Sequence, residues 1–293
     1  MSQYQRLLLI INPTLRHSPA IHQASALAKA CGATLHILGL TKPVRLFSLL
    51  EPPARDETRT RYLQEQSRWL KNEVHALRAK GLDVTSEVRW SDDARLEILD
   101  YVMQLRPDLL LKEIQHEPLL KRAFVTPMDW YLLRECPVPV YLLSPCSHTL
   151  PRKVVAAVDP EPQGSKLNER ILQQANSLAL QCDAQLSLLH VCPMSSDYLD
   201  DADGDEPVLS KLRKDLRQAL EKSFVTLAHD FGVPVECRHF IFGDPVSALA
   251  GFVNDNQTDV IVMGRGRHHG LQWLIGSTTE HVLYQVPCSI LAV

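Results

Sequence analysis

A chain of 293 residues with 45% apolar and 22% charged side chains has the composition of a globular protein, long enough for two domains that each bury a core. A net charge of −3 gives no electrostatic footprint for nucleic acid, and no run of eighteen apolar residues is present to form a membrane span. The seven cysteines (Cys31, Cys136, Cys146, Cys182, Cys192, Cys237 and Cys288) are odd in number, scattered and without a Cys-x-x-Cys pair. This is what a reducing cytosol permits, and it argues against a disulfide framework or a zinc site. Met1 to Arg6 has no signal-peptide pattern, so a cytoplasmic protein is expected.

In chain order, Leu7 to Ile11 reads as a first strand ending at Asn12-Pro13, followed by a helix from about Pro19 to Ala30 with Gly32 as its stop. Leu35 to Leu40 is a second strand. A loop holding Pro43, Pro52 and Pro53 leads to a long amphipathic helix, about Glu57 to Lys80, whose apolar face uses Tyr62, Leu63, Leu70, Val74 and Leu77. Val84 to Trp90 is a third strand and Asp92 to Leu105 a helix. A fourth strand begins at Leu109 to Leu111, Thr126-Pro127 opens another helix, and Val138 to Leu143 is a fifth strand.

The same order then recurs. Val154 to Val158 ends at Asp159-Pro160, a helix follows from about Leu167 to Cys182, and Leu186 to Val191 is a strand. A long helix, about Pro207 to His229, carries Leu209, Leu212, Leu216, Leu220, Phe224 and Leu227 at spacings of three and four. Val235 to Phe242 reads as a strand, Val246 to Asn254 as a helix, Val260 to Met263 and Ser289 to Val293 as strands. Asp108 to Thr126 and Asp259 to Ser277 both span eighteen positions, which aligns the repeats and brings Pro127 beside Thr278 and Asp129 beside Glu280. Two tandem α/β domains are expected, residues 1–146 and 152–293, each a five-stranded parallel sheet with helices on both faces. Ligands in such sheets sit beyond the carboxyl ends of the strands, where the strand order reverses.

After the strand Val260 to Met263, the chain breaks at Gly264 and Gly266, and nine residues separate Gly266 from Gly276-Ser277. Ser277 and Glu280 have capping-box spacing, so a helix is expected to begin there. Glycines before a helix N-terminus offer backbone N–H groups to an anion, although the same spacing also suits a plain strand, turn and capped helix. The pattern resembles the nucleotide-binding signature of the universal stress protein family, Gly-x-x-Gly-x9-Gly-Ser/Thr/Asn, with one residue fewer inside the first glycine pair. Lys112-Glu113-x-x-His116 and Thr126-Pro127-x-Asp129-Trp130 resemble the first half of tandem members of that family, and the resemblance covers essentially the whole chain.

The resemblance implies the adenine nucleotide alpha hydrolase-like fold and, in the second domain, a site for ATP with Mg²⁺ or a related adenine nucleotide. It assigns an acidic wall to Asp159, backbone recognition of adenine to Val191, and the flanks of the ribose to Met263 and Gly264. Gly266, Gly276, Ser277 and Thr278 would donate to phosphate, with Arg267 adding charge. Asp159 before Pro160 also suits an ordinary turn. The first domain departs from the pattern: Glu113, Gln115 and Val125 stand at the positions of Gly264, Gly266 and Gly276, and Asn12 at that of Asp159. A carboxylate where phosphate would sit repels it, so a degenerate site is expected there. Lys112, Glu113 and His116 read as a polar cluster holding the loop, and Trp130 as core.

The six carboxylates of Asp197 to Glu206 fail the EF-hand pattern, because Leu199 and Ser210 occupy ligand positions. No metal spacing, Gly-x-Ser-x-Gly, Walker A or nucleophile–base pair is found, so at most slow ATP hydrolysis is expected. Family members pair through their last strands, which implies an internal pseudo-dimer of Val138 to Leu143 with Ser289 to Val293, and leaves a homodimer open. Two functions remain: a stress-response regulator binding an adenine nucleotide, or a nucleotide-free interaction protein or carrier of a small apolar or lipid-like ligand.

Overall fold

The structure is a computed structural model that describes residues 4–14, 16, 18–41, 51–114, 128–145, 148–160, 165–192, 207–265 and 285–293. The expected helix openings at Thr126-Pro127 and Ser277, the acidic stretch 197–206 and residues 42–50 of the loop lie outside the described residues. The chain divides into two compact units, Met1–Pro145 and Cys146–Val293.

The first unit runs β1 (Arg6–Ile11), α1 (Pro19–Cys31), β2 (Thr34–Thr41), α2 (Pro52–Ala79), β3 (Val84–Trp90), α3 (Ala94–Leu105), β4 (Leu109–Glu113), α4 (Met128–Glu135) and β5 (Val140–Leu143). Its strands are parallel, in the order β3-β2-β1-β4-β5. The second unit runs β6 (Lys153–Ala157), α5 (Ser165–Cys182), β7 (Gln185–Cys192), α6 (Pro207–Asp230), β8 (Arg238–Phe242), α7 (Pro245–Asn256), β9 (Val260–Met263) and β10 (Ser289–Ala292). Its strands are also parallel, in the order β10-β9-β6-β7-β8. In both units the order reverses between the first and fourth strands. Right-handed crossovers on the two sides of a reversal put helices on opposite faces, which is why the strand interiors are buried leucine, isoleucine and valine runs.

The units share their register as well as their order. Leu7 lies opposite Leu109 in the first, and Val154 opposite Val260 in the second. One aspartate secures this pairing in each. Asp108 Oδ2 accepts from the N–H groups of Gln5 and Arg6 at 2.8 Å each, and Asp259 Oδ2 from those of Arg152 and Lys153 at 2.8 and 3.0 Å. Asp259 adds a 2.6 Å contact to His148 Nδ1. Burial opposes ionisation of Asp259, yet His148 and the two backbone donors hold its carboxyl below the usual range.

Local chemistry sets the helix ends. Ser18 caps α1 by accepting from the Ala20 N–H at 3.2 Å, and Gly32 ends it in the left-handed region at φ 64°. Asp244 caps α7 by accepting from the Ser247 N–H at 2.9 Å. Two elements differ from the sequence expectation. Pro52 and Pro53 are not in the loop but start α2, since the first helical turn has no use for their missing N–H groups. Val235–Cys237 is a 3-10 turn before β8 and not its first residues, so the strand begins at Arg238. Among the described residues no helix is long and apolar enough to cross a membrane. None of the described cysteines is in a disulfide, and burial pushes Cys182 up to about 11 and Cys288 to about 12, leaving both unreactive near neutral pH.

Candidate ligand site at the carboxyl ends of the strands

In the second unit the ends of β7, β6 and β9 are neighbours at the order reversal. Asp159 follows β6 with its side chain in solvent, Val191 is half-buried near the end of β7, Met263 is buried at the end of β9, and Gly264 comes next. The backbone is fixed here. Asn168, buried on α5, accepts from the Asp159 N–H at 3.0 Å and donates back to the Asp159 carbonyl. Past β9, the Arg265 N–H donates to the Val293 carbonyl at 2.8 Å. Gly266, Arg267, Gly276, Ser277 and Thr278 lie outside the described residues.

Gly264 owes its lack of a side chain to a neighbour in α5. A Cβ built on it would meet Leu167 Cδ2 at 2.6 Å, Cγ at 2.8 Å and Cδ1 at 3.0 Å. Close approach is a common reason for glycine next to a strand, and the group approaching is the Leu167 side chain. On β7, His190 is buried against aromatic rings of β8 and α6. Its Nδ1 lies 2.9 Å from the Val158 carbonyl, and its ring lies 5.1 Å from that of Phe240 and 6.5 Å from that of Phe224 on α6.

The equivalent ends in the first unit are closed by polar side chains. Glu113, at the position of Gly264, accepts from the hydroxyl of Ser18, the cap of α1. Ala20 stands at the position of Leu167, so the carboxylate has the room that leucine takes in the second unit. A carboxylate at a helix N-terminus is favoured by the unpaired N–H groups and the helix dipole. Lys112, buried on β4, donates to the Glu113 carbonyl at 2.9 Å and pairs with the buried Asp129 of α4 at 2.7 Å. The expected grouping of Lys112, Glu113 and His116 thus resolves differently, with Lys112 turned to Asp129 and Glu113 to Ser18; His116 lies outside the described residues. Trp130 is half-buried, and its neighbour Asp129 is the one in the core.

Asn12 Oδ1 accepts from the Thr14 N–H at 3.1 Å and from its hydroxyl at 2.6 Å, forming a turn at the end of β1. Gly39, at the position of His190, leaves space filled by Val88 and Pro13, which a Cβ there would meet at 3.2 and 3.4 Å.

A second polar cluster lies away from these ends, between β2, β3 and α3. His36 Nδ1 contacts Thr85 Oγ1 at 2.7 Å, and Nε2 contacts the Tyr101 hydroxyl at 2.6 Å. Tyr101 also donates to Glu87 at 3.1 Å, while Arg89 donates to Glu87 and Glu97 at 2.6 and 2.7 Å. Burial lowers the His36 pKa, with Glu87 opposing and Arg89 adding to the shift. Burial, then the Glu87 charge, pushes Tyr101 up to about 12. The Arg89 hydrogen bond holds the Glu87 carboxyl below its usual range despite burial. Among the described residues no group of His, Cys, Asp and Glu is arranged to hold a metal ion.

Two units of five parallel strands each, with one repeated register, define a tandem α/β protein with candidate ligand sites at the strand ends. The universal stress protein family model matches residues 3–144 and 151–293, and the chain belongs to that family. Along its whole length it is similar to universal stress protein E of Photorhabdus laumondii, with 26% identity over 305 aligned positions covering 96% of that protein. It is similarly related to universal stress protein E of Escherichia coli K12, with 24% identity and 95% of that protein covered. Two solved Pseudomonas aeruginosa structures share the fold at 22% identity over the whole of this chain. One, from strain PAO1 and of unknown function, gives a TM-score of 0.78 with 93% of its chain covered; the other, a putative universal stress protein from strain UCBPP-PA14, gives 0.77 with 94% covered. The chain is a tandem member resembling universal stress protein E, and family membership supports a role in the stress response.

Proposed function

We propose that this is a cytoplasmic stress-response protein whose second unit binds ATP with Mg²⁺, or a related adenine nucleotide, as a regulatory ligand without strong catalysis. The observation that carries the reading is the junction of β6, β7 and β9, where Asp159, Val191, Met263 and Gly264 line adjacent strand ends at the order reversal. Open α/β sheets take ligands at such a point. Gly266, Arg267, Gly276, Ser277 and Thr278 supply phosphate donors in this reading. Binding changes a surface presented to protein partners. The first unit plays no part in binding, because Glu113 already holds a carboxylate at its mouth. The test is to release small molecules by heating the purified protein and identify them by absorbance at 260 nm and chromatography. Adenine nucleotide in proportion to protein is the expected result; its absence, with no uptake of added ATP, overturns the reading.

The contact between Leu167 and Gly264 favours a second reading, since an apolar side chain covers the glycine that a ligand would approach. A nucleotide-free interaction protein, or a carrier of a small apolar or lipid-like molecule, would use that same apolar cover. An apolar compound in an organic extract of the purified protein, with nucleotide absent, supports it.

A further inference from the structure

The helix α3 turns two polar side chains toward β3 and leaves leucine and methionine in solvent. Tyr101 is buried and donates to Glu87 at 3.1 Å, while Glu97 accepts from Arg89 at 2.7 Å. On the outer side, Leu96 is 58% exposed, Leu99 half-buried and Met103 64% exposed. At 3.6 residues per turn these three positions fall in one row along the helix. Spacings of three and four within such a row are those of the core positions of a two-stranded coiled coil.

The row belongs to the first unit alone. Counted from the capping residues Asp93 and Asp244, Leu96, Leu99 and Met103 match Ser247, Ala250 and Asn254 of α7. A helix face that has only to meet water is served by residues of the second kind. In the first unit two charges also flank the row. Arg95 lies on one side, its guanidinium carbon 5.5 Å from the ring centre of Tyr131 and its Nε 3.4 Å from Asp93 Oδ1. Asp100, exposed, lies on the other. The matching residues of α7 are Val246 and Gly251, neither of them charged.

We infer that the outer face of α3 is a self-association surface, on which a second copy of this chain packs with the two helices parallel about a twofold axis. Charge complementarity selects this occupant. In a parallel pair, the residue just before one core position faces the residue five places later on the other helix. Arg95 then meets the partner's Asp100, and Asp100 meets the partner's Arg95, each contact being made twice as a twofold axis requires. Leu96, Leu99 and Met103 each pack on the same residue of the partner subunit. An antiparallel pair would instead set Asp100 against the partner's Asp100, two like charges. A contact of three helical turns falls at the weak end of protein interfaces, below about 1,200 Å², so the dimer forms only as concentration rises.

The test is sedimentation equilibrium of the full chain from about 1 µM to about 1 mM, where the wild-type chain should pass from monomer to dimer. Met103→Glu sets a carboxylate against its own copy and should weaken association about tenfold or more. Arg95→Glu and Asp100→Arg should each weaken it, and the two together should restore it, because the exchanged pair is again complementary. Asp100→Asn should weaken it as well; a stronger dimer in that variant would reveal antiparallel helices and overturn the parallel pairing. Circular dichroism and urea denaturation check that each variant is folded, and the wild-type measurement stands without them. A wild-type chain that stays monomeric throughout would leave the face to a different protein and overturn the inference. An unchanged dimer in Met103→Glu, or a double exchange no better than the single ones, would overturn it too.

Discussion

Leu167 on α5 packs so closely on Gly264 at the end of β9 that a single added methyl group would lie 2.6 Å from Leu167 Cδ2. Gly264→Ala should therefore cost about 1–3 kcal/mol, since the leucine has to leave its place. Urea denaturation checks this. Adding Leu167→Ala to the variant should restore part of the loss, because the clash disappears. Leu167→Ala alone uncovers Gly264, and if the glycine faces a nucleotide the affinity for ATP should rise. Unchanged stability in Gly264→Ala would show that the contact is loose.

The first unit should fail differently. Lys112→Met copies Met263 into β4 and removes the cation paired with the buried Asp129. Breaking one side of a buried ion pair costs about 3–5 kcal/mol, whereas replacing both sides with apolar residues can be nearly neutral. Lys112→Met should lower the denaturation midpoint sharply, and Lys112→Met with Asp129→Leu should lower it less. Equal losses in the two would mean that the pair is not coupled.

Asp259 and Asp108 each hold two strand-start N–H groups, so Asp259→Asn and Asp108→Asn should each destabilise by about 1–3 kcal/mol. The Asp259 carboxyl titrates below its ordinary range in the native state. Its stabilisation is therefore present above the unfolded pKa, about 3.9, and is lost as pH falls through the depressed native value. Denaturation midpoints measured from pH 6 to pH 3 should fall more steeply for the wild-type chain than for Asp259→Asn.

His36 acts in a higher pH range. Its native pKa is below the unfolded value of about 6.5, so the unfolded chain takes up the proton first. Its contribution is present above 6.5 and is lost as pH falls from there through the lowered native value. The groups facing the ring are Thr85, Glu87 and Arg89 of β3 and Tyr101 of α3, and Glu87 stays ionised throughout this window because its own pKa is lowered. His36→Gln should flatten the fall in denaturation midpoint between pH 7.5 and 5.5; an unchanged slope would place the titration elsewhere.

Much of this architecture is legible in the chain. The runs Val84 to Trp90 and Val260 to Met263 coincide with β3 and β9 because the first sets Val84, Val88 and Trp90 at even spacings, the second is continuously apolar, and both are bounded by turns. The eighteen-residue spans from Asp108 and Asp259 point to a shared register because each aspartate has a structural task, tying the first strand to the fourth. Pro52 and Pro53 mislead because proline ends helices and also starts them. Val235 to Cys237 misleads because β-propensity is weak against the turn that Pro234 begins.

The candidate site is legible in part for a related reason. Asp159 and Gly264 are suggested by their places at strand ends, which the pattern marks, whereas Val191 and Met263 come from the family resemblance. Leu167, Asn168 and His190 depend on what they touch across the fold, which no local pattern records. A signal for them exists in the comparison of the repeats. Leu167 against Gly264 stands where the first unit has Ala20 and Glu113, an exchange of volume between the two positions, and His190 stands where it has Gly39.

The most direct test is calorimetric titration of ATP with Mg²⁺ into the full chain and into Gly276→Val, which copies Val125 of the first repeat into the second. Micromolar binding by the wild-type chain, about −8 kcal/mol, and its loss in the variant are expected if the second unit is a nucleotide sensor. No binding by the wild-type chain would contradict nucleotide sensing and leave the interaction-protein reading in its place; equal binding by both proteins would remove Gly276 from the site.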